Sequence, residues 1–356
     1  MKKLLIIGPF PPLSSYGGPT KSIKNLYDVF SNTDILCTIL SPSRHLDGTK
    51  LKEVKNNENV IFCKNQFFYL LANSHKFDVI WLNSFFDFKI LILCLIKLFY
   101  NFHLIISPRG QLSDQAINTS NRVFKKLFIK VTLLFRSNLL FHSTSSSESK
   151  DISYYFKKNQ ISIISNLFNL DYQPNNNKKS KFIFYSRIHK KKGLDILLKT
   201  IQMYNLKIDL DIYGFIEDID YWKLCKNYID KCDEVNYMGN LVDGDISKLK
   251  DSYSFFILPT LNENFGHVIV ELLSIGCIPI LSKNTNPFDK ETNKIFNMNF
   301  DLNSSTDFKR VLEKANNISL KDLLELKVKV KSYFNKINLT QNETKAKYIK
   351  LIKNLS

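Results

Sequence analysis

Leu258-Pro259-Thr260-Leu261-Asn262-Glu263-Asn264-Phe265-Gly266-His267-Val268-Ile269-Val270-Glu271-Leu272-Leu273-Ser274-Ile275-Gly276 reads as the end of a buried strand, a polar loop and a helix. The apolar run before Pro259 is continuous rather than alternating, the pattern of a parallel strand covered on both faces. Backbone N–H groups at a helix start near Gly266, together with the helix dipole, favour an anionic ligand. Gly266 itself lets the backbone come close to such a ligand. Strand, polar loop and anion-accepting helix start are the repeating parts of a doubly wound α/β sheet. In such sheets, ligands bind beyond the carboxyl ends of the strands.

The same alternation extends through most of the chain. Strands are predicted at Lys3–Gly8, Asp34–Leu40, Asn59–Cys63, Asp78–Leu82, His103–Ser107, Leu139–His142 and Ile161–Ile164. A second series is predicted at Lys181–Ile188, Lys207–Tyr213, Val235–Met238, Phe255–Pro259 and Ile278–Leu281. Helices fall between them, among them Gly18–Phe30, Phe88–Tyr100, Asn121–Arg136, Leu194–Met203, Asp218–Asp230 and Gly266–Ile275, with a helical tail from Leu320. The polar run Asn175–Ser180 after Pro174 is the best linker candidate. At 356 residues the chain exceeds one ordinary core. The reading is therefore α/β, with two Rossmann-like doubly wound domains facing a cleft. Their expected spans are 1–172 and 173–335, with 336–356 a C-terminal helix packing back toward the first domain.

Composition narrows the class further. Hydrophobic residues at 44% and aromatics at 13% supply packed interiors and exclude a disordered chain. The formal charge of +17 fits polyanionic or phosphorylated partners, and equally a Lys-rich surface produced by coding bias. Six cysteines without a CxxC pair suit reduced, buried thiols and a cytoplasmic setting. The start Met1–Gly8 is too short for a signal peptide and reads as a first strand. Ile90–Ile106, broken by Lys97, Asn101 and His103, falls short of the ~20 residues that span a bilayer.

Glu263 lies in the loop and Glu271 inside the helix, eight positions on, about 12 Å along a helix axis. That separation suits the two ends of one long ligand better than a glycosidase pair, whose carboxylates sit ~5 Å apart. The alternative is that both glutamates merely complement a helix start. In the context Glu-Asn-Phe-Gly-His-Val-Ile-Val-Glu, the spacing resembles the signature of family 4 of the retaining GT-B glycosyltransferases, the glycosyl transferases group 1. The resemblance implies GT-B architecture and a nucleotide-sugar donor. Glu271 would hold the donor ribose, Glu263 would approach the transferred sugar, and Asn264, Phe265 and Gly266 would support the phosphates.

Four further segments agree with it. Phe184–Asp195 is a strand, a basic loop and a helix start, and its Arg187 and Lys192 can converge on a diphosphate. The family places an Arg and a Lys-Gly here, so the resemblance assigns both to the departing diphosphate, with Glu263 beside them in catalysis. Gly17 and Gly18 before a helix resemble the family's first glycine-rich loop, which meets the donor from the other domain. Pro108-Arg109-Gly110 resembles a subgroup of these enzymes, which makes Arg109 a candidate on the acceptor side. His142-Ser143-Thr144-Ser145-Ser146-Ser147-Glu148 matches another family stretch, where Ser145 and Glu148 fit a capping box.

No metal-ligand spacing, Walker loop or serine-nucleophile elbow is present, and neither cofactor nor metal is expected. The stretch 122–136 is basic and amphipathic, fit either for an anionic membrane surface or for packing on its own sheet. The expected function is transfer of a hexose, with retention, from a UDP- or GDP-linked sugar to a glycan or lipid-linked acceptor. Bacterial surface polysaccharide or glycolipid synthesis, at the inner face of the plasma membrane, is the setting the resemblance favours. The rivals are a nucleotide-sugar epimerase on the same scaffold and a non-catalytic basic protein binding polyanions or membrane. No nucleic-acid module is recognisable, so no nucleic-acid partner is expected.

Overall fold

Strand β1 (Lys3–Ile7) sends alternate side chains into two different cores. Leu5 and Ile7 join one buried cluster, Leu4 and Ile6 another. With both faces covered, the strand has no solvent side to make polar, hence its unbroken apolar sequence. The structure is a computed structural model. It describes residues 1–13, 16–45, 48–51, 59–118, 121–136, 139–156, 160–241, 246–261, 263, 265–283, 285 and 288–355. Two compact units emerge: Met1–Phe168 with Gln341–Ser356, and Asn169–Thr340.

In the first unit β1 is joined by β2 (Leu36–Pro42), β3 (Val60–Cys63), β4 (Val79–Leu82), β5 (His103–Ile106), β6 (Leu139–Ser143) and β7 (Ile161–Ile163). The sheet is parallel, in the order β3-β2-β1-β4-β5-β6-β7. Strand order reverses between β1 and β4, so the loops leaving them part there and leave a crevice. Helix α1 (Gly18–Phe30) packs on the Leu4–Ile6 face through Ile23, Leu26 and Phe30. On the opposite face lie α2 (Gln66–Asn73), α3 (Lys89–Ile96), α5 (Arg122–Leu133) and α6 (Ser146–Tyr155), with the short α4 (Asp114–Ile117) preceding α5.

The second unit repeats the plan with β8 (Phe182–Tyr185), β9 (Leu210–Tyr213), β10 (Val235–Gly239), β11 (Phe255–Leu258) and β12 (Ile278–Leu281). These are parallel in the order β10-β9-β8-β11-β12, with the reversal between β8 and β11. Its helices are α7 (Leu194–Met203), α8 (Ile219–Ile229), α9 (His267–Ser274), α10 (Asp289–Phe296) and α11 (Ser305–Asn316). The last helix, α12 (Leu320–Lys353), belongs to the second unit up to Thr340 and to the first from Gln341. In the first unit its Tyr348 and Ile352 enter the Leu4–Ile6 cluster.

The polar run 175–180 lies inside the second unit rather than between units. Asn175 is buried, donating from Nδ2 to the carbonyls of Tyr253 (2.8 Å) and Ile275 (3.1 Å). Buried Lys327 of α12 donates to Asn175 Oδ1 at 2.9 Å, and burial pushes its pKa down. Carbonyl oxygens replace its lost water, so a run that is polar in sequence is a docking point in space. The helix expected at Phe88–Tyr100 is shorter, and its end is closed by Lys97, whose Nζ donates to the Phe102 carbonyl.

A buried chain of hydrogen bonds crosses the first sheet. Trp81 Nε1 donates to Ser107 Oγ (2.8 Å), which lies 2.9 Å from His142 Nδ1, and His142 Nε2 lies 2.9 Å from the Ile164 carbonyl. A carbonyl only accepts, so Nε2 carries the proton and Nδ1 accepts from the serine. Burial, then the charge of Arg109, push His142 down to about 3. An unfolded histidine takes a proton near pH 6.5, whereas the folded one resists until about 3. Stability present at neutral pH is therefore lost as pH falls through that window, at roughly 1.4 kcal/mol per unit. Between pH 6.5 and 5 the urea-unfolding free energy should drop by about 2 kcal/mol. His142→Gln should be less stable at pH 7 but should lose that slope; an unchanged slope would contradict the assignment.

Candidate functional site

At the reversal point of the second unit, the loops leaving β8 and β11 are stitched together by their backbones. The Lys191 carbonyl accepts from Leu261 N (2.9 Å) and Thr260 Oγ1 (3.1 Å). A 3-10 turn at Lys190–Lys192 is held by His189 Nδ1, which accepts from Lys191 N at 3.1 Å. The next residue, Gly193, is left-handed (φ 69°), and a Cβ on it would stand 2.0 Å from the Pro259 carbonyl oxygen. Only glycine permits both the conformation and the approach.

This stitching brings Lys192 Nζ to 2.5 Å from Glu263 Oε2, with side chains only 16% and 15% exposed. The two residues lie 71 positions apart in sequence. Gly266, also left-handed (φ 69°), opens helix α9, and its hydrogens face Glu263 Cγ where a Cβ would stand at 3.1 Å. Phe265 is buried, its ring 5.9 Å from that of Phe288. Asn264 lies outside the described residues. Glu271 is buried in the second turn of α9. Burial, then the charge of Glu271, push the Tyr185 hydroxyl at the end of β8 up to about 12, so it remains a donor.

Arg187 leaves the same strand as Lys192 but is held by a different carboxylate. Its Nη1 lies 3.0 and 2.9 Å from the two carboxylate oxygens of Glu217. The loops leaving β8 and β9 run together here, with Ile188 N donating to the Phe215 carbonyl at 2.8 Å. Thus two cations on one loop each have a carboxylate partner, Glu217 on the β9 side and Glu263 on the β11 side. The Arg187 pair is half-exposed, so its net contribution to stability is small, about 0–1 kcal/mol. An arriving anion can exchange it at little cost.

The remaining predicted residues belong to the first unit. Gly17 caps α1, accepting from Thr20 N at 3.1 Å, and Gly18 is the first helical residue. Arg109 follows β5 with φ 54° and donates to Asn166 Oδ1 (2.5 Å) and Asn83 Oδ1 (2.7 Å). Among the described residues no carboxylate pairs with it, and burial pushes its pKa down. The expected capping box is only half made: Ser145 Oγ accepts from Glu148 N at 3.2 Å. The Glu148 carboxylate turns instead to Thr144 N (2.7 Å), Thr144 Oγ1 (2.8 Å) and Gly110 N (2.7 Å). A carboxylate read as a helix cap therefore clamps the Arg109 loop.

Glu217, Tyr185, Asn83 and Asn166 escaped the sequence reading. Each sits at or just past the carboxyl end of a strand, the one signal that could have flagged them. No group of three or more His, Cys, Asp or Glu side chains among the described residues is placed to hold a metal ion.

Residues 169–319 match the family model of the glycosyl transferases group 1. No curated protein sequence matches the chain. Sucrose-phosphate synthase from Thermosynechococcus elongatus aligns over 100% of this chain and 99% of its own, with TM-score 0.79 and 12% identity. HepE of Anabaena, solved with UDP-glucose, covers 100% and 98%, with TM-score 0.69 and 12% identity. The lipopolysaccharide outer core galactosyltransferase WaaB covers 96% and 99%, with TM-score 0.61 and 18% identity. At such identities these likenesses speak to fold, and the fold is GT-B.

The loop contact makes a direct forecast. Gly193→Ala should destabilise the second unit by more than about 1 kcal/mol, from both the left-handed φ and the clash with Pro259. Chemical unfolding would measure it, and a change within a few tenths of a kcal/mol would mean the contact does not hold the loops.

Proposed function

We propose that the chain is a retaining glycosyltransferase that moves a hexose from a nucleoside-diphosphate sugar to a glycan or lipid-linked acceptor. The observation that carries this reading is the meeting of Lys192 and Glu263 at the reversal point of the second sheet, beside the start of α9. It falls within the segment that matches the glycosyl transferases group 1. UDP and UDP-glucose bound to HepE make a UDP-linked sugar the first donor to test.

In this reading the donor diphosphate exchanges the carboxylates for its own oxygens. Arg187 lets go of Glu217 and binds a phosphate as a planar fork, while Lys192 supplies a point charge. Both offset the negative charge that grows on the leaving group, so the reaction calls on no metal ion. Glu263, relieved of Lys192, accepts from a sugar hydroxyl and supports the positive character growing at the anomeric carbon. Glu271 accepts from the ribose hydroxyls. The departing phosphate then assists attack by the acceptor on the same face, which retains the configuration. Gly17 and Gly18 offer backbone N–H groups to the donor, and Arg109, held by amide carbonyls, faces the acceptor or the sugar.

A thermal-shift screen against UDP-, GDP- and ADP-sugars comes first, with NMR of the product anomer to test retention. Glu271→Ala should weaken donor binding roughly tenfold or more, the worth of a charge-assisted hydrogen bond. Arg187→Ala should lower kcat by about a hundredfold. Unchanged kinetics in both variants would remove the proposed roles.

A further inference from the structure

One helical layer of the first unit is apolar on the side that faces solvent. Helices α2, α3 and α5 each bury one side in the Leu5–Ile7 cluster; α2 and α5 expose the other, and α3 exposes Leu95 and the residues at its two ends. The phenylalanines among the exposed large apolar side chains, Phe67, Phe68, Phe88, Phe99 and Phe124, all lie on this layer. Phe99 is 82% and Phe68 65% exposed. Leu95, Leu98 and Leu127, from α3, the turn after it and α5, are exposed as well. Ring contacts link neighbouring segments of the layer: the rings of Phe88 and Phe124 lie 5.8 Å apart, and those of His75 and Tyr100 5.5 Å apart. Scattered exposed leucines need no explanation, but a clustered aromatic and aliphatic face marks an interaction surface.

Cations interleave with it. Helix α5 carries Arg122, Lys125, Lys126 and Lys130 and no acidic residue. Arg122, Lys126 and Lys130 stand exposed on α5 with no carboxylate partner among the described residues.

We propose that the α2–α3–α5 layer docks on an anionic lipid bilayer, its phenylalanines at the acyl-chain boundary and its lysines and arginines among the headgroup phosphates. Charge complementarity selects this occupant. A second copy across a two-fold axis would set the same cations against themselves. A nucleic acid would satisfy the cations but leave the leucines and phenylalanines uncovered. No helix among the described residues is long and apolar enough to cross a membrane, so the contact is with the surface of the bilayer. It extends well beyond α5 alone, and it does not rest on the sugar-transfer reading.

Co-sedimentation of the full chain with phosphatidylcholine vesicles, and with vesicles rich in phosphatidylglycerol, tests it. The chain should prefer the anionic vesicles by roughly tenfold or more, and added salt should weaken that preference. Phe68→Ser with Phe99→Ser and Leu127→Ser should lower binding about tenfold or more to either vesicle. Lys126→Gln with Lys130→Gln should lower it on the anionic vesicles only. Circular dichroism and thermal unfolding check that these surface variants keep the fold. A wild-type chain that stays in the supernatant with anionic vesicles, or variants that bind as the wild type does, would overturn the proposal. So would a wild-type dimer, seen by light scattering, that the phenylalanine variant dissolves while neither chain binds vesicles.

Discussion

The second unit's site depends on how closely two loops approach where the strand order reverses. In a doubly wound sheet, helices on opposite faces pull the flanking loops apart, and the crevice between them is where ligands lodge. Here the β8 and β11 loops are tied back across it by the Lys191 carbonyl and by the contact of Gly193 with the Pro259 carbonyl. The tie fixes the stems and leaves the side chains beyond it, Lys192 and Glu263, to meet at the mouth. Backbone contacts set this geometry without using the charged groups themselves, which stay available for a ligand.

Much of this architecture is visible in the sequence, because a strand buried on both faces writes itself as an unbroken apolar run. β1, β4, β11 and β12 are such runs, and only their ends shift by a residue or two. Helices are less legible. α2 (Gln-Phe-Phe-Tyr-Leu-Leu-Ala-Asn) spans only eight residues, too short a run for a helical period to stand out from a buried strand by sequence alone. Asn175 reads as linker because a polar run signals solvent, whereas its amide has buried carbonyl partners. Glu148 has the spacing of a cap, but spacing says nothing of direction, and its carboxylate turns toward another loop. Glu217 comes to Arg187 through the pairing of β8 with β9, a fact of topology that no local motif carries.

The two units follow one plan but differ in how they hold a cation near the reversal point. In the second, Lys192 and Arg187 each meet a carboxylate. In the first, Arg109 meets two amide oxygens, of Asn83 and Asn166. An amide fixes the guanidinium's position without an ion pair, although the charge of Glu148 acts on it from further off, and a desolvated cation held this way reaches further than a directly paired one. Its effect is already felt inside the protein, where it helps keep His142 neutral. The Glu148 carboxylate holds the loop from behind by its backbone, steadying Arg109 without pairing with it.

The Lys192–Glu263 pair carries the sharper consequence. Two charges so little exposed are costly to leave alone, since each loses hydration that only a close partner can replace. Each serves as the other's partner, which keeps both loops in place. Under the proposed reading, a diphosphate takes Lys192 and a sugar hydroxyl takes Glu263. Neither half of the donor can complete the exchange alone. A nucleoside diphosphate without its sugar would strand Glu263, and a free sugar would leave Lys192 to compete with it. On that reading the pair would tie binding to a ligand that carries both groups at the right separation. It does so through the cost of breaking the contact, not through any additional contact of its own.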